Sequence, residues 1–169
     1  MQKNFKQLLN DITTFVFDVD GVLTDGSLML MPDGEHVRSM NIKDGYALQE
    51  AVKKGYKIAV ISGGQSEAVR IRLAKLGIQD IYMGVRDKVE ALDEFLATYA
   101  IQPANVLFMG DDMPDYGVMK RVGIPVCPND AASEIKAISI YISDKKGGKG
   151  CVRDIIEQVL KVQAKWSSE

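Results

Sequence analysis

The chain of 169 residues contains only two cysteines, Cys127 and Cys151, and one histidine, His36. The cysteines lie far apart, so a close-spaced zinc framework is excluded and two reduced thiols are expected. One histidine cannot build a histidine-rich metal centre. No serine elbow precedes it, which removes a Ser-His-Asp arrangement. No glycine-rich loop ends in Gly-Lys-Ser or Gly-Lys-Thr, so a P-loop is absent. No apolar run is long enough to span a bilayer. Residues 1–10 are polar and lack a signal-peptide core. Charge of neither sign dominates, because 21 Lys+Arg face 23 Asp+Glu for a formal net charge of −2. The one lysine patch, at 145–149, is interrupted by glycines and makes no nucleic-acid footprint. A soluble cytoplasmic protein is expected, with neither nucleic acid nor membrane as a partner.

What is present is an alternation of short apolar runs and amphipathic stretches. Strands are expected at 12–17, 57–61, 80–83, 106–109, 124–127 and 138–142. Helices are expected at 44–54, 67–76, 88–99, 114–121 and 152–164. Pro32-Asp33-Gly34 marks the turn of a hairpin over about 27–40. Repeated strand–helix units predict an α/β fold: a Rossmann-like, mostly parallel sheet with helices on both faces. The length suits one domain over 1–169, with a hairpin insertion, a C-terminal tail over about 145–169, and little room for a substrate-binding cap.

The chemistry gathers at the C-terminal ends of these strands, where an open α/β sheet binds ligands. The first strand runs into Asp18-Val19-Asp20-Gly21-Val22-Leu23-Thr24-Asp25-Gly26. The next ends in Ser62-Gly63-Gly64, and a later one in Gly110-Asp111-Asp112-Met113-Pro114-Asp115. Lys88 opens a helix between them. Clustered carboxylates repel one another unless a cation joins them, and Mg2+ suits carboxylate and phosphate oxygens. Lys88 adds a point charge, Ser62 a hydroxyl, and the serine–glycine turn free backbone N–H groups. The set suits phosphoryl transfer. Asp18 attacks phosphorus, Asp20 moves protons, and Asp111 completes the metal site. Asp115 holds a metal-bound water or orients Lys88. Taken singly, each acidic residue is equally an ordinary helix cap, Lys88 a surface lysine, and Ser62-Gly63 a turn. Their order along one sheet favours the site.

These motifs together resemble the haloacid dehalogenase superfamily of aspartate-nucleophile phosphatases. Within it they are closer to the phosphatases of 3-deoxy-D-manno-octulosonate 8-phosphate, over essentially the whole length. The tail Gly147-Gly148-Lys149-Gly150-Cys151-Val152-Arg153-Asp154 resembles that branch's glycine-rich segment, with Cys151 where alanine is usual and Asp154 where glutamate is. The resemblance implies Asp18 as nucleophile and Asp20 as acid/base. It implies magnesium on Asp18, the Asp20 backbone carbonyl and Asp111. It also implies a homotetramer whose hairpins pack together and whose subunits complete each other's pockets, in lipopolysaccharide synthesis. Gly64 departs from the pattern, since arginine is usual there and glutamate occurs in relatives acting on a nine-carbon sugar acid. Arg72 and Arg86 are candidates for the substrate carboxylate, and Lys149 for the sugar-acid body. A nine-carbon substrate and a non-catalytic regulatory subunit are the alternatives.

Overall fold

The computed structural model describes residues 3–166. Its strands are β1 (Thr14–Phe17), β2 (Met29–Leu30), β3 (His36–Val37), β4 (Lys57–Ile61), β5 (Asp80–Tyr82), β6 (Val106–Met109), β7 (Ile124–Cys127) and β8 (Tyr141–Ile142). Its helices are α1 (Phe5–Leu9), α2 (Ile42–Lys53), α3 (Glu67–Lys75), α4 (Lys88–Tyr99), α5 (Tyr116–Met119), α6 (Ser133–Ile138) and α7 (Cys151–Val162). Six strands form one sheet in the order β5-β4-β1-β6-β7-β8. Each pairs in parallel with its neighbours, and the register sets Phe17 against Val60 on one side and Met109 on the other.

Side-chain alternation explains why the sheet is covered twice. Phe15, Phe17, Val60, Leu107 and Met109 face one core, shared with α2, α3 and α7. Val16, Ala59, Ile61, Val106 and Phe108 face the other, shared with α4, α5 and α6. The Rossmann-like α/β expectation holds. Chain order reverses about β1, since α2 leads to β4 on one side while β6 lies on the other. The ends of β1, β4 and β6 therefore open onto one crevice.

α2 and α7 pack side by side, with Ala47, Leu48 and Ala51 in the same core as Ile155, Ile156 and Val159. α7 begins after Gly150, which offers no side-chain cap. Asp44 of α2 supplies one from across the interface. Its carboxylate accepts the Arg153 N–H at 2.9 Å, and it is 1% exposed. Burial raises this carboxyl, and the N–H groups of Arg153, Gly150 and Val152 pull it back.

Four local readings are corrected. The polar start hides α1, which Asn4 and Gln7 close with a capping box. α2 starts at Ile42 because Asn41 caps it. The 114–121 stretch divides into a turn at Met113–Asp115 and the short α5. Residues 138–142 are not one strand. Ile135 and Ile138 lie three apart and carry α6 onto the core, leaving only Tyr141–Ile142 to pair with β7. The hairpin forms around the expected turn, with the Met31 N–H bonded to the Glu35 carbonyl at 2.9 Å, but its paired segments are two residues each. Among the described residues, no helix is long and apolar enough to cross a membrane.

Candidate active site

β1 ends at Phe17, so Asp18 leaves the sheet at its centre. Its carboxylate accepts the Val19 N–H at 2.7 Å and the Lys88 ammonium at 2.9 Å. Lys88 opens α4, where Asp87 caps the helix, and its side chain is 6% exposed. The same Nζ lies 2.7 Å from Oδ1 of Asp115, which is fully buried. The second oxygen of Asp115 accepts the Asp111 N–H at 3.1 Å. Asp115 thus ties the β6 loop to Lys88, and Lys88 ties that pair to Asp18.

Oxygens of Asp18, Asp111 and Asp115 all lie within 4.8 Å of one another. Two buried carboxyls and a half-buried third at that spacing resist ionising together. Burial, then the neighbouring Asp115, raises Asp18 well above the ordinary carboxyl range, and Lys88 only partly offsets this. Burial and Asp115 likewise push Asp111 up to about 7. Burial works against the charge on Lys88, yet Asp18 and Asp115 together hold its pKa above the ordinary lysine value. An oxygen cluster this crowded fits a hard divalent cation, which would take Asp18 and Asp111 as ligands. Asp115 already spends both oxygens on Lys88 and the Asp111 N–H, so it anchors the set.

Gly21 makes that cluster possible. Its φ is +86°, and a Cβ there would overlap the Asp111 carboxylate. Ser62 follows β4, is 1% exposed, and accepts the Gly64 N–H on Oγ at 3.1 Å. Asp18, Asp20, Ser62, Gly63, Lys88 and Asp111 line a single cleft of about 530 Å³. The candidate nucleophile, a cation, a hydroxyl and carboxylates that could hold a metal therefore meet in one place, as phosphoryl transfer requires.

Residues 65–155 match the haloacid dehalogenase-like hydrolase family. The 3-deoxy-D-manno-octulosonate 8-phosphate phosphatase of Escherichia coli K12 is 36% identical over 155 residues, 92% of this chain and 82% of that protein.

The chain belongs to the haloacid dehalogenase-like hydrolases.

The solved structures agree. The Moraxella catarrhalis phosphatase, crystallised with magnesium, phosphate and KDO, superposes with a TM-score of 0.92 at 32% identity, over 95% of this chain and 92% of that one. A cobalt-bound Haemophilus influenzae octulosonate 8-phosphate phosphatase gives 0.90 at 30% identity, over 94% and 92%.

Within this hydrolase the remaining expected residues separate. Arg86 lines the cleft. Arg72 does not. It lies across α2, so that a Cβ on Gly45 would sit 2.6 Å from its guanidinium. Lys149 lines a different and larger cavity, about 810 Å³ between the start of α2 and α7. The larger cavity holds none of the strand-end groups. The tail glycines support the first loop of their own chain. Gly148 donates its N–H to the Val22 carbonyl at 3.0 Å, and Gly147 donates to Asp130 at 3.0 Å. The Cys151 thiol, fully buried, also donates to the Val22 carbonyl, at 3.3 Å.

One functional contact escaped the sequence. Arg38, just after β3, places Nε 2.6 Å from Oδ1 of Asp20 and Nη2 3.1 Å from Oδ2. A basic residue at the end of a hairpin carries no spacing signal toward a carboxylate 18 positions earlier. The nearest hint was Gly64, the departure from the family pattern, because a side chain there would meet Arg38.

Proposed function

We propose that this chain is a magnesium-dependent phosphomonoesterase that converts 3-deoxy-D-manno-octulosonate 8-phosphate to 3-deoxy-D-manno-octulosonate and phosphate. The observation that carries the reading is the Asp18–Lys88–Asp115–Asp111 cluster at the sheet's reversal point. The named activity of relatives at 36% identity supports the substrate.

Asp18 attacks phosphorus, and the bond to the sugar oxygen breaks. Asp20 gives its proton to that leaving oxygen, and the phosphoryl group rests on Asp18 as an aspartyl phosphate. Asp20, now ionised, takes a proton from water as the water oxygen attacks phosphorus. Phosphate leaves and the Asp18 carboxylate returns. Lys88 faces the charge on the transferring oxygens, and Ser62 and the Gly63 backbone orient them. Asp18, Asp111 and the Asp20 backbone carbonyl would hold Mg2+, which supplies positive charge opposite the phosphate. Asp115 orients Lys88. Arg86, at the cleft wall, is placed for the substrate carboxylate.

We further propose one catalytic unit over 1–169 that works in the cytoplasm as a homotetramer, with neighbouring subunits completing each pocket. Leu28, Met29, Leu30, Met31 and Val37 of the hairpin are all exposed, which supports burial between copies. Arg72 and Lys149 lie outside their own cleft, so a role for either in substrate binding belongs to this assembled form. The test is hydrolysis by purified protein with magnesium of eight-carbon and nine-carbon sugar-acid phosphates, with light scattering for mass. The highest kcat/KM is expected on the eight-carbon ester. A higher value on the nine-carbon ester overturns the substrate. No hydrolysis of any ester by folded, metal-loaded protein overturns the activity.

A further inference from the structure

We infer that Arg38 is the residue that holds Asp20 in position for proton transfer, and that position 64 is glycine because Arg38 fills its space. The inference rests on the phosphatase reading of the cleft. Arg38 grips Asp20 with two nitrogens on two oxygens, at 2.6 and 3.1 Å. That fork fixes the plane of the carboxylate, which a single contact or a lysine would leave free to turn, and it uses one lone pair on each oxygen, so that the remaining lone pair facing the cleft takes and gives the proton. The guanidinium is itself anchored, since Nη1 donates to the His36 carbonyl at 3.1 Å. Its side chain is 5% exposed, against 34% for Asp20. The pair therefore points inward from the arginine side and outward, toward the cleft, from the carboxylate side. Exposed ion pairs hold geometry weakly, but a desolvated guanidinium with one carboxylate partner does not let go cheaply.

Gly64 is the third member. A Cβ built there lies 2.9 Å from Nη2 of Arg38 and 3.2 Å from Oδ2 of Asp20. Backbone conformation does not demand the glycine, because Gly64 is not among the positive-φ glycines. Space is the reason. An arginine or glutamate at this position would displace the guanidinium from the carboxylate. Gly64 also donates its N–H to Ser62 Oγ, so the turn facing the phosphate, the hairpin and the first loop converge on one carboxylate.

Arg38 touches Asp20 and acts through it, which makes it a positioning residue. Its function shows in how the rate depends on the leaving group. Kcat/KM covers steps through cleavage of the ester. Phenyl phosphate leaves as a basic phenolate and needs a proton from Asp20, whereas p-nitrophenyl phosphate leaves without one. Neither carries a carboxylate, so a lost contact to a sugar acid cannot imitate the effect.

The experiment compares the full-length, magnesium-loaded parent with Arg38→Met, Arg38→Lys and Gly64→Ala on both aryl esters, each checked for folding by thermal melt. Arg38→Met is expected to lose at least about tenfold more kcat/KM on phenyl phosphate than on p-nitrophenyl phosphate, a fraction of the full value of general acid catalysis. Arg38→Lys should restore less than half of that loss on a logarithmic scale. Gly64→Ala should shift the same ratio in the same direction, and add nothing in the Arg38→Met background. Equal losses on both esters, or a rise in KM alone, would overturn the positioning role. An additive Gly64→Ala effect would overturn the link between the two residues. Should Arg38→Met fail to fold, the ratio in Gly64→Ala and Arg38→Lys decides. A parent inactive on both esters would instead sink the phosphatase reading itself.

Discussion

Asp111→Asn should make the metal-free protein more stable at alkaline pH while removing its response to magnesium. Burial and Asp115 move the Asp111 carboxyl from 3.8 to about 7. Ionising it in the folded chain is therefore unfavourable by on the order of 4 kcal/mol relative to an exposed carboxyl. The sign follows from linkage. Between the ordinary value and about 7 the folded state keeps a proton that the unfolded chain has released, so rising pH destabilises the fold across that window. Below it both states are protonated and the penalty is absent. Asp18, raised by burial and Asp115, acts in the same direction. In excess chelator, the parent should melt several degrees lower at pH 8 than at pH 5.5, at about 2–4 °C per kcal/mol for a domain of this size. Asp111→Asn should shrink that difference to the part that Asp18 contributes. Magnesium at about a hundred times its Kd should add about 2.7 kcal/mol to the parent and little to the variant. Differential scanning calorimetry of parent and variant at both pH values in chelator, and of each with magnesium, reads these differences. A chelated Asp111→Asn protein less stable than the parent at pH 8, with an undiminished magnesium response, would refute the reasoning.

Two further perturbations probe the supports. Lys88→Met leaves Asp18 and Asp115 without their shared cation. It should lower stability by about 3 kcal/mol at pH 8 in a urea melt and recover at acid pH as Asp18 protonates, while kcat/KM falls at least about a hundredfold; an unchanged urea midpoint would show that the pair holds nothing together. Gly147→Ala places a Cβ into the Gly21 carbonyl. It should depress kcat/KM on p-nitrophenyl phosphate as much as on the sugar-acid ester, because the tail props the loop that carries Asp20; a loss confined to the sugar acid would mean the tail reads substrate and does not buttress the loop.

The sheet was legible because parallel strands buried on both faces leave continuous apolar runs, as at 15–17 and 106–109, and their ends point to the cleft. That Asp18, Ser62, Lys88, Asp111 and Asp115 belong together was read from their residue types and order at strand ends and a helix start. Contacts set by packing between distant loops were not legible. Arg38 reaches Asp20 only because the hairpin returns over the first loop and Gly64 leaves room. Arg72 looked like a helix residue free to face substrate, but the bare Gly45 surface of α2 gives its guanidinium another place to lie. The run at 138–142 misled because apolar residues three apart at a helix end look like the start of a strand. The glycine tail lays its backbone against Gly21–Asp25 of the same chain, a contact that no spacing in the sequence announces.

The central claim is that Asp18 carries the phosphoryl group. Rapid acid quench of the Asp20→Asn protein with magnesium and p-nitrophenyl phosphate, whose leaving group needs no proton from Asp20, followed by peptide mass spectrometry, tests it most directly. Without Asp20 to activate water, the phosphorylated enzyme should accumulate, with the phosphate on Asp18 and none in the Asp18→Asn protein. Turnover by the parent with no phosphorylated Asp18 at any quench time, or the phosphate on another residue, would contradict the account.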